Sequence, residues 1–474
     1  MVAITEFITG RLNTAVWMYI FLPGVAAAGV LLTLRTGFIQ FRHFGHIMRN
    51  TAGKLLEKKA AEEEGSVTPL QAVTTALAAT LGTGNIVGTS QAIAMGGYGA
   101  VFWLWAAAVL GMAVKYAEVT LSIKFRRRDQ QGDWVGGPMY YIAEGLGPRW
   151  SWLAAAFALL AMLASFGIGN MSQANSITGS VTQAAELFFR LDEAGLRLLR
   201  WGLGVFMALL AAGILMGGVR RIGRVTEILI PFMSLAYIGV CLIVLICHAR
   251  NIPGVLGRIL VSAFSPQAAA GAASGIAMKE ALVWGLRRSA FSNEAGLGSA
   301  GIAHAAAETP SAVAQGFYGV FEVFMDTIVI CTLTALTILC SAVEISYGLK
   351  PGTELVCAAF STVFGAKFSA LFIALSLTFF AFSTVLGWAL YGGRCSQYLF
   401  GIKSVRVYQL VFFALIVVGC VSPVNLVWDI ADTLNGLMAL PNLAAVFALS
   451  GLVARLTREY FDSAEYSLGK STRH

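Results

Sequence analysis

Long apolar runs alternate with short polar connections along the whole chain. The runs lie at 16–34 and near 68–96, 99–123, 150–185, 198–217, 223–247, 264–286, 311–343, 368–393, 406–422 and 427–454. About 20 apolar residues cross a bilayer as a helix, so the pattern predicts eleven membrane-spanning helices. Lipid cannot satisfy open backbone groups, which leaves only helices or a closed barrel. The runs are continuous rather than ten-residue alternating segments, which excludes the barrel. The first run lacks a preceding basic stretch and is long for the apolar part of a signal peptide, so it reads as a retained span.

Two runs carry polar and glycine residues at their centres. Span 2 reads TTALAATLGTGNIVGTSQAIAMGG, with Gly82, Gly84 and Gly88 among Thr80, Thr83 and Asn85. Span 7 reads FSPQAAAGAASGIAMKEALVWG, with Gly271 and Gly275 flanking Ser274. Taken singly, such glycines are as well explained by close packing of helices. As a pair they suggest discontinuous helices, whose half-helix N-termini hold a carboxylate and whose free carbonyls hold a cation. Span 2 opens a group of five spans (2–6) and span 7 a second group of five (7–11), the arrangement of inverted repeats. Residues 1–66 then hold the first span and an amphipathic segment at 50–66. The repeats occupy 67–250 and 251–456, and 457–474 form a tail. GTGNIVG superficially resembles a dinucleotide fingerprint, but its third glycine is one residue late and no strand precedes it.

Composition narrows the class. Of 474 residues, 57% are apolar and 12% charged, and the mean hydropathy is +0.73. A water-soluble fold keeps a polar exterior and cannot hide that much apolar surface. The net charge of +8 therefore points to basic cytoplasmic loops rather than to nucleic acid. Alternate connections, at 35–66, 124–149, 218–224, 287–308 and 394–406, together with the tail hold 23 Lys and Arg against 8 on the other side. This places the N-terminus outside and the C-terminus inside the cell. The seven cysteines are scattered and lack metal or redox spacing. His43 and His46 lack acidic or cysteine partners nearby in sequence, so no metal site is expected there.

Other polar groups inside spans are candidates for chemistry. Span 4 contains Asn170, Ser172, Gln173, Asn175 and Ser176; Gln173 both donates and accepts, which suits an amino acid. Span 9 carries Ser383 and Thr384, with Trp388 one turn beyond Thr384. Lys115 with Glu118, the acids Glu322 and Asp326 of span 8, and Lys279 with Glu280 each read as members of structural or gating ion pairs. Neither expected break contains Asp or Glu. Neutral oxygens bind Na+ but cannot carry a proton, which favours sodium coupling.

AATLGTGNIVG, GGPMYYI (136–142), KYAE, GIGNMSQANS, FSNEAGLGSAGIAHAAA (291–307), FMDT, FAFSTVLGWALYGGRCSQYLFG and ADTLNGLMALPNL (431–443) closely resemble the alanine or glycine:cation symporter family. The likeness runs from about residue 15 to 462. It implies an all-α integral membrane protein with a LeuT-type 5+5 inverted repeat and one extra N-terminal helix. It also implies that Thr80, Gly82, Thr83, Gly84 and Asn85 meet a substrate carboxylate. Gln173, Ser274, Ile276, Thr384 and Trp388 would surround the amino group and small side chain, near Ala273 and Gly275. The carbonyls of Ala78, Leu81 and Phe380 and the hydroxyls of Ser383 and Thr384 would hold Na+. The sequence departs from the family pattern at Ala273, where a larger aromatic is frequent, and at Lys279–Glu280. Both leave the size of the substrate open.

The resulting expectation is a secondary active transporter of a prokaryotic inner membrane, symporting Na+ with a small neutral amino acid of the alanine/glycine type. Alternatives are H+ coupling, or a larger amino acid, on the same fold. Na+ is the coupling ion, no further cofactor is expected, and the chain is not an enzyme. A channel fits two central breaks less well, and no nucleophile or metal set within the spans suggests a membrane enzyme.

Overall fold

The computed structural model describes residues 12–55, 67–265, 278–309 and 311–463, with residues 54, 55 and 424–430 described by backbone alone. The helices that position the site are α1 Ala15–Arg35, α2 Pro69–Thr80, α3 Thr89–Gly96, α4 Gly99–Lys124, α5 Pro148–Phe188, α6 Glu193–Leu215, α7 Gly218–Cys247, α8 Ile252–Phe264, α9 Met278–Asn293, α10 Ala300–His304, α11 Ala312–Cys340, α12 Glu354–Phe364, α13 Ala366–Phe400, α14 Ser404–Val421 and α15 Val424–Asp462. Among the described residues, nine helices are long and apolar enough to cross a membrane: α1, α4, α5, α6, α7, α11, α13, α14 and the α15 stretch Ala431–Asp462. Their outward sides carry large apolar residues, such as Leu198, Phe206 and Leu209 on α6 and Ile228, Phe232 and Leu235 on α7. A lipid-facing surface has that composition.

The helices fall into two groups. In one, α4 packs along α9 and α11 and also touches α1, α8 and α10. Small residues make these seams. A Cβ on Gly285 would lie 2.4 Å from the Ala100 carbonyl, and one on Gly319 would lie 2.9 Å from that of Lys115. Without small residues there, the backbones could not approach so closely. In the other group, α5 packs on α13, α14 and α15, and α6 on α14. The half-helix α2 lies between the groups, against α7 and α13.

The first interruption falls where the glycine pattern predicts it, between α2 and α3. The seventh span departs from expectation. Its helix α9 continues to Asn293 rather than ending near 286, and a second interruption follows at 294–299 before α10. Glu294, Gly296 and Gly298 there have φ of 56°, 92° and 79°. Left-handed conformations of this kind stop a helix and leave the amides that follow without helix acceptors. The break expected near 271–275, with Ala273, Ser274, Gly275 and Ile276, lies outside the described residues.

The extension of α9 also corrects the charge count. Arg287 and Arg288 are helix residues, and Arg288 lines the same cavity as Lys350, which had been assigned to the opposite side. The balance becomes 21 to 10.

Candidate functional site

The half-helix α2 begins at a reciprocal cap. Thr68 Oγ1 accepts from Gln71 N (3.1 Å) and Gln71 Oε1 from Thr68 N (3.3 Å), with Pro69 at the first helical position. The helix stops at Leu81, whose ψ of 90° turns the chain out of it. The next amide, on Gly82, would ordinarily close a bond to the Ala78 carbonyl. It donates instead to Asn85 Oδ1 (3.0 Å). Thr83 N donates to Gln173 Oε1 (3.3 Å), and Gln173 Nε2 is tethered to the Ile168 carbonyl (2.9 Å). The first amides after the break thus point at side-chain oxygens, a place a carboxylate suits. The buried Thr83 hydroxyl has no hydrogen-bond partner among the described residues.

The diverted amide frees the Ala78 carbonyl, and α13 meets it. Ala78 O accepts from Thr384 Oγ1 (3.0 Å) and Ser383 Oγ (3.3 Å). Phe380 O accepts from Ser383 Oγ (2.8 Å) and Thr384 Oγ1 (3.1 Å), and Leu81 O lies 3.4 Å from Thr384 Oγ1. All five residues are buried. Close approach of α13 is permitted by Gly387, where a Cβ would sit 2.8 Å from that of Ala79. Two hydroxyl protons serve three carbonyls, and Thr384 has one proton for three acceptors. The cluster is rich in oxygen and poor in donors, the composition that suits a hard cation. A Cβ on Gly82 would lie 2.5 Å from Thr384 Oγ1 and 3.2 Å from Gln173 Oε1. The oxygen cluster and the amide end of the break therefore adjoin.

The second interruption meets the first. A Cβ on Gly84 would lie 2.8 Å from Ser292 Cα. Asp326, on α11, binds both: its Oδ1 accepts from Asn85 Nδ2 (2.7 Å) and Ser292 Oγ (3.0 Å), while Oδ2 accepts from Thr327 Oγ1 (2.6 Å). Glu118 of α4 supplies what the interrupted helix lacks. Its Oε1 accepts from the amides of Gly296 (3.0 Å) and Gly298 (3.1 Å) and from Asn442 Nδ2 (2.6 Å) of α15. Glu118 was expected to pair with Lys115; Lys115 instead faces Glu322 at 3.7 Å. Lys279 and Glu280 are exposed at the start of α9.

Trp388 is fully buried. Its Nε1 donates to Glu294 Oε1 (2.7 Å), and its side chain covers Gly169, where a Cβ would fall 2.1 Å from that of Trp388. The indole thus joins α13, the π-helical turn Gly167–Met171 within α5, and the second interruption. Thr80 bonds back into its own helix, to Ala76 O and Leu77 O. Of the expected residues that are described, Thr80 stays within its helix. Gly82, Thr83, Gly84, Asn85, Gln173 and Thr384 meet at the first break, and Trp388 stands one turn beyond Thr384. Sequence reasoning missed Ser292, Glu294 and Asn442, and it read Glu118 and Asp326 as members of ion pairs. The signal for Ser292 and Glu294 was the acid between small residues in SNEAGLG, inside a stretch taken for a loop. Unlike the two expected breaks, the interruption at 294–299 holds an acid, Glu294.

A cavity of about 310 Å³ extends from α3 toward one face. Its lining includes Gln91, Ser176, Arg288, Lys350, Glu354 and Asp432. Asp432 Oδ2 lies 2.6 Å from Arg287 and 3.5 Å from Arg288, tying α9 to α15. At the other face, Val67 forms a parallel bridge with Ala307, beside the start of α2.

The chain is 39% identical over 457 residues to the sodium/alanine symporter AgcS of Methanococcus maripaludis, covering 96% of each chain. It is 38% identical over 462 residues to the probable sodium/glutamine symporter GlnT of Bacillus subtilis, covering 97% of this chain and 91% of that one. The LeuT-fold transporter MhsT, solved in complex with L-phenylalanine, superposes with a TM-score of 0.58 at 13% identity, over 84% of this chain and 99% of that one. That likeness establishes the fold. The family described as sodium:alanine symporters matches residues 1–473. Its members are transporters and not enzymes, and the nine apolar helices agree with a multi-pass membrane protein. The chain belongs to the sodium:alanine symporter family.

Proposed function

We propose that the protein symports Na+ with a small neutral amino acid by alternating access. The observation that carries this reading is the convergence of five oxygens, from Ala78, Leu81, Phe380, Ser383 and Thr384, beside amides at a helix break that donate to side chains rather than to helix carbonyls. Na+ sits among the five oxygens, where the two hydroxyls rotate their protons away and present lone pairs. The substrate carboxylate takes the place of Gln173 Oε1 at the amides that follow Gly82. Gln173, Thr83 and Trp388 enclose the amino group and side chain. Each ligand favours the same closed state, so each tightens the other.

In this reading the two interrupted helices, α2/α3 and α9/α10, complete eleven spans. The first stands apart, and residues 67–250 and 251–456 form inverted five-helix repeats. The basic face, at Val67 and Ala307, is cytoplasmic; the cavity at Arg288 opens outward; the membrane is the inner membrane of a prokaryote. No nucleic acid is involved.

Two observations support alternatives. Glu294 and Asp326, both at the breaks, are groups a proton-coupled carrier would use. The likeness to the probable sodium/glutamine symporter GlnT supports an amino acid larger than alanine. Uptake of labelled alanine and glutamine into proteoliposomes separates the readings. Alanine uptake driven by an inward Na+ gradient at equal pH supports the proposal. Uptake driven by an inward H+ gradient without Na+ would overturn the choice of ion, and uptake of glutamine alone would overturn the choice of substrate.

A further inference from the structure

In the second interruption Glu294 holds a left-handed backbone, as Gly296 and Gly298 do. Glycine adopts that conformation at no steric cost, whereas a residue with a side chain bears strain there. The side chain of Glu294 has a use that offsets the strain. It is buried, and both carboxyl oxygens accept hydrogen bonds. Oε2 accepts from Ser299 Oγ (2.5 Å), at the far end of the interruption, and Oε1 accepts from Trp388 Nε1 (2.7 Å). The first bond is local. The second crosses from the group of α4, α9 and α11 to α13 in the other group.

The rest of the indole is held by packing. A Cβ on Gly169 would fall 2.1 Å from Trp388 Cβ and 2.2 Å from Cγ, and Tyr391 meets the ring edge-on with 5.6 Å between centroids. Packing confines the ring, but an indole N–H can only donate, so its acceptor decides which way the polar edge points. Without Glu294 Oε1 a buried donor would lack its bond, and the ring would gain by turning toward another acceptor. The indole also adjoins the first break. Gln173, which meets the Thr83 amide, is tethered to the Ile168 carbonyl, and the next residue is Gly169, beneath the indole. Thr384 of the oxygen cluster stands one turn before Trp388 on α13.

We propose that Glu294 is a positioning residue that sets the size of the amino acid accepted, by holding Trp388 in its present orientation. The indole is the wall against which the substrate side chain ends, and Glu294 acts through it. This rests on the transport reading above, in which Trp388 helps enclose the substrate. What the indole needs is an oxygen acceptor at this place rather than a charge or a proton. Glutamine at 294 therefore serves, and an apolar or shorter side chain does not.

The full-length protein has ten tryptophans, and Trp388→Phe identifies the Trp388 indole N–H in NMR spectra of 15N-tryptophan-labelled protein. That signal should lie downfield and exchange slowly with solvent in the wild type and in Glu294→Gln. In Glu294→Ala it should move upfield and exchange faster. In proteoliposomes, the ratio of valine to alanine uptake should rise severalfold in Glu294→Ala and in Trp388→Phe. Adding Glu294→Ala to Trp388→Phe should change it no further, because the two act through one bond. Glu294→Gln should keep the wild-type ratio. An unmoved indole signal or a wild-type uptake ratio in Glu294→Ala would overturn the proposal. So would a Glu294→Gln variant as impaired as Glu294→Ala, which would assign the role to the charge or a proton. If Glu294→Ala does not fold, Glu294→Asn replaces it: asparagine tolerates the left-handed region, and its amide falls one methylene short of the indole. A wild type that moves neither alanine nor valine fails the transport reading, while the indole signal still decides whether Glu294 holds Trp388.

Discussion

Gly82 and Thr384 face each other across the narrowest point of the first break. A side chain on Gly82 would begin 2.5 Å from Thr384 Oγ1, so Gly82→Leu should fill the site and abolish alanine binding while leaving the spans folded. Wild-type uptake by that variant would contradict the break as a binding site. Thr384→Ala removes one oxygen from the proposed cation set. A hydrogen-bonding or ligating group of this kind contributes about 1–2 kcal/mol, so apparent Na+ affinity should weaken by about an order of magnitude. Thr384→Ser, which keeps the hydroxyl, should restore most of it. The Na+ dependence of uptake reads both. Gln173→Ala should weaken the amino acid more than Na+, since Gln173 reaches the amide of Thr83 and none of the three carbonyls; equal weakening would assign it to packing.

Each interrupted helix needs acceptors and donors from elsewhere, and this determines which break the sequence revealed. The first break is legible because its partners are local: Asn85 caps Gly82 within the same run, and three glycines stand out against apolar neighbours. The second is not legible by that rule. Residues 266–277 and 294–301 are both rich in glycine and alanine. What marks 294–299 is Glu118, almost 180 positions earlier, which holds two of its amides. A spacing argument sees Glu118 beside Lys115 and pairs them, whereas the fold gives each a different partner. The same blind spot put Arg287 and Arg288 into a connection when they are part of α9. Glu118→Ala would leave the amides of Gly296 and Gly298 and the Asn442 side chain without their acceptor, at about 1–3 kcal/mol for each buried group. It should lower the thermal midpoint in detergent markedly. Glu118→Gln keeps an oxygen for them and should cost less. Equal loss in both would point to the charge rather than to the acceptor geometry.

At the scale of the whole molecule, two groups of helices meet along α2 and the oxygen cluster. At one face Val67 bridges Ala307, and toward the other Arg287 and Arg288 bind Asp432. The proposed alternating access requires these contacts to break in turn. Bridged strand neighbours are close enough for a disulfide, so Val67→Cys with Ala307→Cys, in a chain lacking exposed Cys247, should stop uptake when oxidised and recover it on reduction. Undiminished uptake in the oxidised protein would mean that this face does not open there.

The account stands or falls on one cation held beside the first break and coupled to the amino acid. Binding of radioactive Na+ to the purified protein, with and without alanine, tests that most directly. The account predicts saturable Na+ binding that alanine tightens, and that Thr384→Ala weakens in both conditions. Alanine binding that needs no Na+, or Na+ binding indifferent to alanine and to Thr384, would contradict it.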